Sequence, residues 1–119
     1  MMGNVYDIML AFDKRGEIEI DEARRLVISC ADILLDEVNK SEKLKPHLCT
    51  YPFPAKNISI KIFVKKEDGS FPDRGKISAA SLSFGEITYR TYESTYVRNT
   101  ALEETYEEAK AKLALAHTN

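Results

Sequence analysis

The chain has 119 residues, of which 44% are hydrophobic and 30% charged, within the range of one globular domain able to bury a core without metals or a disulfide framework. Lys+Arg 17 against Asp+Glu 19 gives a formal net charge of -2, a balance that lacks the basic excess of a nucleic-acid binder. No apolar run approaches the ~20 residues that span a bilayer, and no basic region followed by an apolar core marks an export signal. The chain as written is therefore expected in the cytoplasm, or outside it if a signal has been removed.

The first strong element runs from Asp21 to Lys40. Ala23, Val27, Cys30, Ala31, Leu34 and Val38 recur at helical steps, widened by Leu26, Ile33 and Leu35. Asp21 suits the N-cap, and Pro46 ends any continuation. The Pro-rich stretch Leu44 to Lys56 reads as an irregular connector. Beyond it, Ile58, Ile60, Ile62 and Val64 alternate with Ser59, Lys61, Phe63 and Lys65, the period of a strand with one buried face.

A turn follows through Asp68-Gly69 and Gly75, longer than a tight hairpin. Residues 76–93 carry Gly85 near their middle and read as two strands or one long strand bulged at the glycine, with the interruption favoured. Thr100 with Glu103 forms a capping-box signature, and Leu102, Tyr106, Ala109, Leu113 and Ala116 trace one face of a closing helix. On this reading Glu103, Glu104, Glu107 and Glu108 are solvated charges in its first turns. The expected fold is α+β: a long N-terminal amphipathic helix, an antiparallel sheet of two or three strands and a C-terminal helix, with both helices on one side of the sheet.

Three constellations could carry chemistry. Asp13, Gly16, Ile18 and Glu22 match the third, sixth, eighth and twelfth positions of an EF-hand loop, with Glu19 a possible extra oxygen; Ala11 and Arg15 stand where carboxylates belong. Asp13, Glu19 and Glu22 thus form a degenerate calcium site at best. His47 and Cys49, spaced by one residue, could serve a small Cys/His-dependent enzyme, but no third group orients the base. A zinc site would have to gather Cys30, His47, Cys49 and His117 from separate segments, so no metal or other cofactor is expected. Cys30 and Cys49 can form at most one bridge, which would add about 3 kcal/mol in an oxidising compartment.

The third constellation is aromatic. Tyr89, Tyr92 and Tyr96, with Tyr51 and Phe53 of the connector, concentrate rings where sheet meets loop, as a partner-binding patch would. The leading functional expectation is a non-enzymatic interaction module with a protein partner, without nucleic acid or a membrane span. Taking 58–64 and 86–93 as sheet edges, Lys61, Lys65 and Lys66 protect the first while the second has only Arg90 between its terminal glutamates. A weak homodimer through the Tyr-rich strand or its adjoining aromatic surface follows from that placement.

The segments YPFPAKNISIKIFVKKEDGS, GEITYRTYE and ETYEEAKAKL resemble a group of small uncharacterised bacterial proteins that share a YPF segment, an alternating strand, a DG turn and a Tyr/Glu-rich closing helix. The resemblance covers roughly the last two-thirds of the chain and implies structural elements only. No assigned activity, and so no catalytic residue, comes with it. Members of that group often carry an export signal, which this sequence does not show.

Overall fold

The computed structural model describes residues 5–94 and 97–117, with side chains through Leu115. In chain order the elements are β1 (Ile8–Arg15), α1 (Ile20–Lys40), β2 (Ile58–Lys65), β3 (Ile77–Ser83), β4 (Glu86–Ser94), β5 (Val97–Thr105) and α2 (Tyr106–His117). The strands form one five-stranded sheet in the order β1-β2-β3-β4-β5. β1 pairs with β2 in parallel, and every later neighbour is antiparallel. The fold class is α+β as expected, but the sheet is mixed and larger than two or three antiparallel strands.

Two strands account for the difference. β1 precedes the helix, so α1 is the crossover that a parallel β1–β2 pair requires, and it is not the first element of the chain. β5 occupies residues expected to begin the closing helix. A capping box does exist, shifted by five residues: Thr105 N donates to Glu108 Oε1 at 2.9 Å and Glu108 N donates to Thr105 Oγ1 at 3.0 Å. The TxxE pattern occurs twice in succession, and pairing of β5 with β4 selects the second.

These strands also reassign the edges. β2 lies between β1 and β3, and β4 lies between β3 and β5, so neither strand taken as an edge is one. The homodimer expected through β4 loses its geometry, because the backbone groups it needed are already paired within the sheet. The interruption at Gly85 is a two-residue hairpin, Phe84-Gly85, with both residues at positive φ (50° and 79°), the geometry whose twist suits adjoining antiparallel strands.

Packing follows from alternation. Ile58, Ile60, Ile62 and Val64 of β2, Ala80 and Leu82 of β3, and Ile87 and Tyr89 of β4 are buried and share one face. α1 lays Ala23, Val27, Ile28, Ala31 and Val38 over that face, and α2 adds Tyr106 and Ala109. Both helices therefore cover the same side, as expected. Along α1 the stripe is rotated slightly from the expected one: Ile28 is buried, Cys30, Leu34 and Leu35 are partly buried, and Ile33 is 64% exposed. The N-cap is Glu19, two residues before the expected Asp21, and it makes no side-chain capping bond.

The connector is held by Asn39 at the end of α1. Its Nδ2 donates to the Phe53 carbonyl at 3.2 Å and its Oδ1 accepts from the Phe53 amide at 2.7 Å, seating the Phe53 ring in the core. Among the described residues, no helix is long and apolar enough to cross a membrane.

Candidate functional site

The residues singled out in the sequence disperse. Tyr89 and Phe53 are core side chains and cannot touch a partner. Tyr51 is 52% exposed on the connector, with the Lys45 ammonium 4.5 Å from its ring centroid. Tyr92 is half-buried and stacks on Phe71 at 5.3 Å, and Lys65 sits over the other ring of that stack at 4.4 Å. Tyr96 lies outside the described residues. The four described rings thus occupy the core, the connector and one end of the sheet, not one patch.

The calcium-like segment is not a loop. Ala11 to Arg15 belong to β1, and 20–22 open α1. Asp13 pairs in register with Phe63, Glu19 bonds Lys76 at 3.4 Å, and Glu22 stands exposed on the first helical turn. Only the turn at Gly16, with φ +96°, matches the motif. Among the described residues, no three His, Cys, Asp or Glu side chains group as a metal would need. His47 is exposed, while Cys49 is partly buried and its sulfur accepts from Asn57 Nδ2 at 3.4 Å; no hydrogen bond joins His47 to Cys49 among the described residues. Cys30 and Cys49 are free thiols, and burial raises the pKa of Cys30. The side chain of His117 lies outside the described residues.

Two features escaped the sequence reading. One is a buried ionic network under the helices. Glu104 was expected on a solvated helix face but is 5% exposed on β5. Its carboxylate accepts from Arg24 Nε at 2.8 Å, Lys112 Nζ at 2.7 Å and Tyr89 Oη at 2.5 Å. Arg24 also reaches Asp21 at 2.9 Å. Burial alone would raise the Glu104 pKa, but the bonds from Arg24, Lys112 and Tyr89 outweigh it and hold the carboxyl below its ordinary value. Burial pushes the Tyr89 phenol up, reinforced by the bond to Glu104.

No buried side-chain polar atom of this network lacks a hydrogen-bond partner, and it ties α1, β4, β5 and α2 together, which is the work of a structural clamp. A second tie joins the helices, where the Tyr106 hydroxyl donates to Asp32 and Lys110 lies 3.5 Å from the same carboxylate. The available signal for the clamp was Arg24, which falls on the inward helical face beside Val27 and Ile28.

The other feature is the face of the sheet that neither helix covers. Register builds it in two rows. Ala11, Lys61, Ser81, Thr88 and Glu103 align across all five strands, and Asp13, Phe63, Ala79, Arg90 and Thr100 align beside them. Small residues at Ala79 and Ser81 leave the sheet bare between Lys61 and Arg90, which stand two strands and one row apart, ~12 Å between backbones. The result is a groove of about 270 Å³ lined by Lys61, Phe63, Ala79, Ser81, Arg90 and Arg98. Arg98 enters from β5, opposite Tyr92.

The groove continues toward the β3–β4 hairpin, where Tyr6, Met9, Ser59, Lys61 and Phe84 border a second hollow. Phe84 is 87% exposed and holds the left-handed backbone region, where a bulky residue is strained. Met9 is 55% exposed on β1. Among the described residues Lys61, Arg90 and Arg98 have no ion pair, a state they share with Lys14, Arg15, Arg25, Lys43, Lys45, Lys56 and Lys65; what sets the three apart is that they line one groove. Beside the second hollow Ser59 Oγ donates to Asp7 Oδ1 at 3.1 Å, and the rest of the set provides cations, rings and a shallow floor, which suit binding. No protein-family model, curated protein or solved structure matches the chain.

Proposed function

We propose that the protein is a non-enzymatic interaction module that docks a protein partner on the uncovered face of its sheet. One observation carries this reading. Both helices pack on the same side, so a five-stranded surface is left with exposed Met9 and Phe84, a half-buried Phe63 and three cations without ion pairs among the described residues. A lone Phe at a hairpin tip gains nothing for the fold from exposure at φ 50°, where Asn or Gly would sit without strain; as a contact residue it has a use.

The competing enzyme reading through His47 and Cys49 lacks comparable support, because Asn57 and not His47 hydrogen bonds the Cys49 sulfur. The reading fits the resemblance to a bacterial group with no assigned activity, but does not depend on it.

Placing a photo-crosslinking amino acid at Met9 on the open face, and separately at Ile33 on the outer side of α1, tests the proposal in cells expressing the full chain. Discrete protein adducts from the Met9 position, with none from Ile33, are the expected result. Adducts from Ile33 alone, or from neither position, would place the function elsewhere.

A further inference from the structure

We infer that the centre of the open face is a carboxylate-recognition site, and that the partner segment lying across it presents Asp or Glu side chains between small or apolar residues. This rests on the open-face reading above and adds the chemistry of the occupant.

Charge complementarity selects that occupant. Lys61, Arg90 and Arg98 converge on one groove in a chain whose formal charge is -2, and among the described residues no acid of the chain neutralises them. Three cations held near one another repel, and a bound carboxylate removes that cost while accepting charge-assisted bonds, which are about twice as strong as neutral ones. The two arginines supply planar forks that match a carboxylate in bidentate fashion, and Lys61 on the opposite lip supplies a point charge. Phe63 forms an apolar wall, and the volume of about 270 Å³ admits side chains but not a folded element.

A nucleic-acid strand fits less well. Its phosphates form a continuous line of charge, and the same face carries Asp13 on the β1 side and Glu103 on the β5 side of the basic centre. A polyanion crossing the sheet would meet these carboxylates, whereas an extended peptide can place its acids over the centre and neutral residues over the flanks. The exposed Met9 and Phe84 at the hairpin end then meet apolar side chains of the same segment.

The test uses the full chain labelled with nitrogen-15 and titrated with three probes: a short soluble peptide in which glutamates alternate with serine and leucine, the same peptide with every Glu replaced by Gln, and single-stranded oligothymidylate. The Glu peptide is expected to shift amide resonances of Lys61, Phe63, Ala79, Ser81, Arg90 and Arg98 at concentrations about ten-fold lower than the Gln peptide does, a ratio worth about 1.4 kcal/mol. The combined Lys61→Gln, Arg90→Gln, Arg98→Gln variant, if its spectrum shows the native fold, should erase that preference; the single Arg90→Gln variant should reduce it. Equal affinity for the Glu and Gln peptides overturns the carboxylate assignment while leaving the open face as a docking surface. Tighter binding of oligothymidylate overturns it in favour of nucleic acid. Absence of any response on this face overturns it as well, and the Met9 crosslink then decides separately whether the face docks a protein at all.

Discussion

The two faces of the sheet are built from alternate residues of the same strands and have opposite characters. On the helix side Ile58, Ile60, Ile62 and Val64 are buried, and even the ionic group there, Glu104, has three donors. On the other side Lys61 and Phe63 alternate with those isoleucines, and the cations Lys61, Arg90 and Arg98 have no ion pairs among the described residues. Satisfied charges contribute to the fold. Unsatisfied charges gathered over small residues are available to something outside it. Exposure alone would not make this distinction, since most surfaces are partly apolar.

If the clamp belongs to the fold, breaking it should have the largest effect. Glu104→Gln leaves the buried Arg24 with only the exposed Asp21 as an ion partner and should cost about 3–5 kcal/mol in urea unfolding. Replacing Arg24 and Glu104 together with well-packed apolar residues should recover most of that loss. A cost below about 1 kcal/mol for the single change would mean that water reaches the network and that the two faces differ less than their burial implies.

The next comparison stays within one strand. Ile60→Ala on the covered face should cost about 2–5 kcal/mol, the range for truncating a fully buried aliphatic side chain. Phe63→Thr on the open face keeps strand propensity and should cost about 1 kcal/mol. Equal losses would show that Phe63 is a core residue in disguise.

Acid titration gives a third contrast. The folded pKa of Glu104 is depressed, so its stabilising contribution is complete above the unfolded carboxylate value of about 4.3 and is lost as pH falls from there through the folded value. Stability of the wild-type chain should therefore drop across that acidic window, and Glu104→Gln should drop less steeply. Identical slopes would remove Glu104 from the account of acid unfolding. Phe84→Asn is expected to have a smaller effect and the opposite sign. It should stabilise by about 1 kcal/mol by relieving the left-handed strain, while weakening the Met9 crosslink if the ring is a contact.

Much of the covered face was legible in the sequence because it is written in local periodicity. α1 and β2 announce themselves through spacing, and Gly85 marks the β3–β4 reversal. β1 was not legible, since its segment reads as the start of an ion-binding loop and its pairing with β2 lies across the whole of α1. β5 was hidden by helix-forming residues and the first of two TxxE patterns, and pairing with β4 overrode that local preference. Losing these two strands turned interior β2 and β4 into edges. It also scattered the groove, because Lys61, Arg90 and Arg98 each look like an isolated solvated charge until Lys61 pairs with Ser81 and Ala79 pairs with Arg90. The aromatic residues misled for a related reason: a ring near a loop in sequence can be the best filler of a core, as Phe53 and Tyr89 are.

The division of labour between the faces is tested most directly by urea unfolding of the Lys61→Gln, Arg90→Gln, Arg98→Gln variant beside the wild-type chain. Cations that serve a partner and not the fold can be removed without structural loss, so each site should change stability by no more than about 0.5 kcal/mol, with an unchanged slope. Easing of mutual repulsion should move the midpoint upward if it moves at all. A large downward shift would contradict the account, because it would show that the three side chains hold the sheet together and that the open face has no charge to spare for a partner.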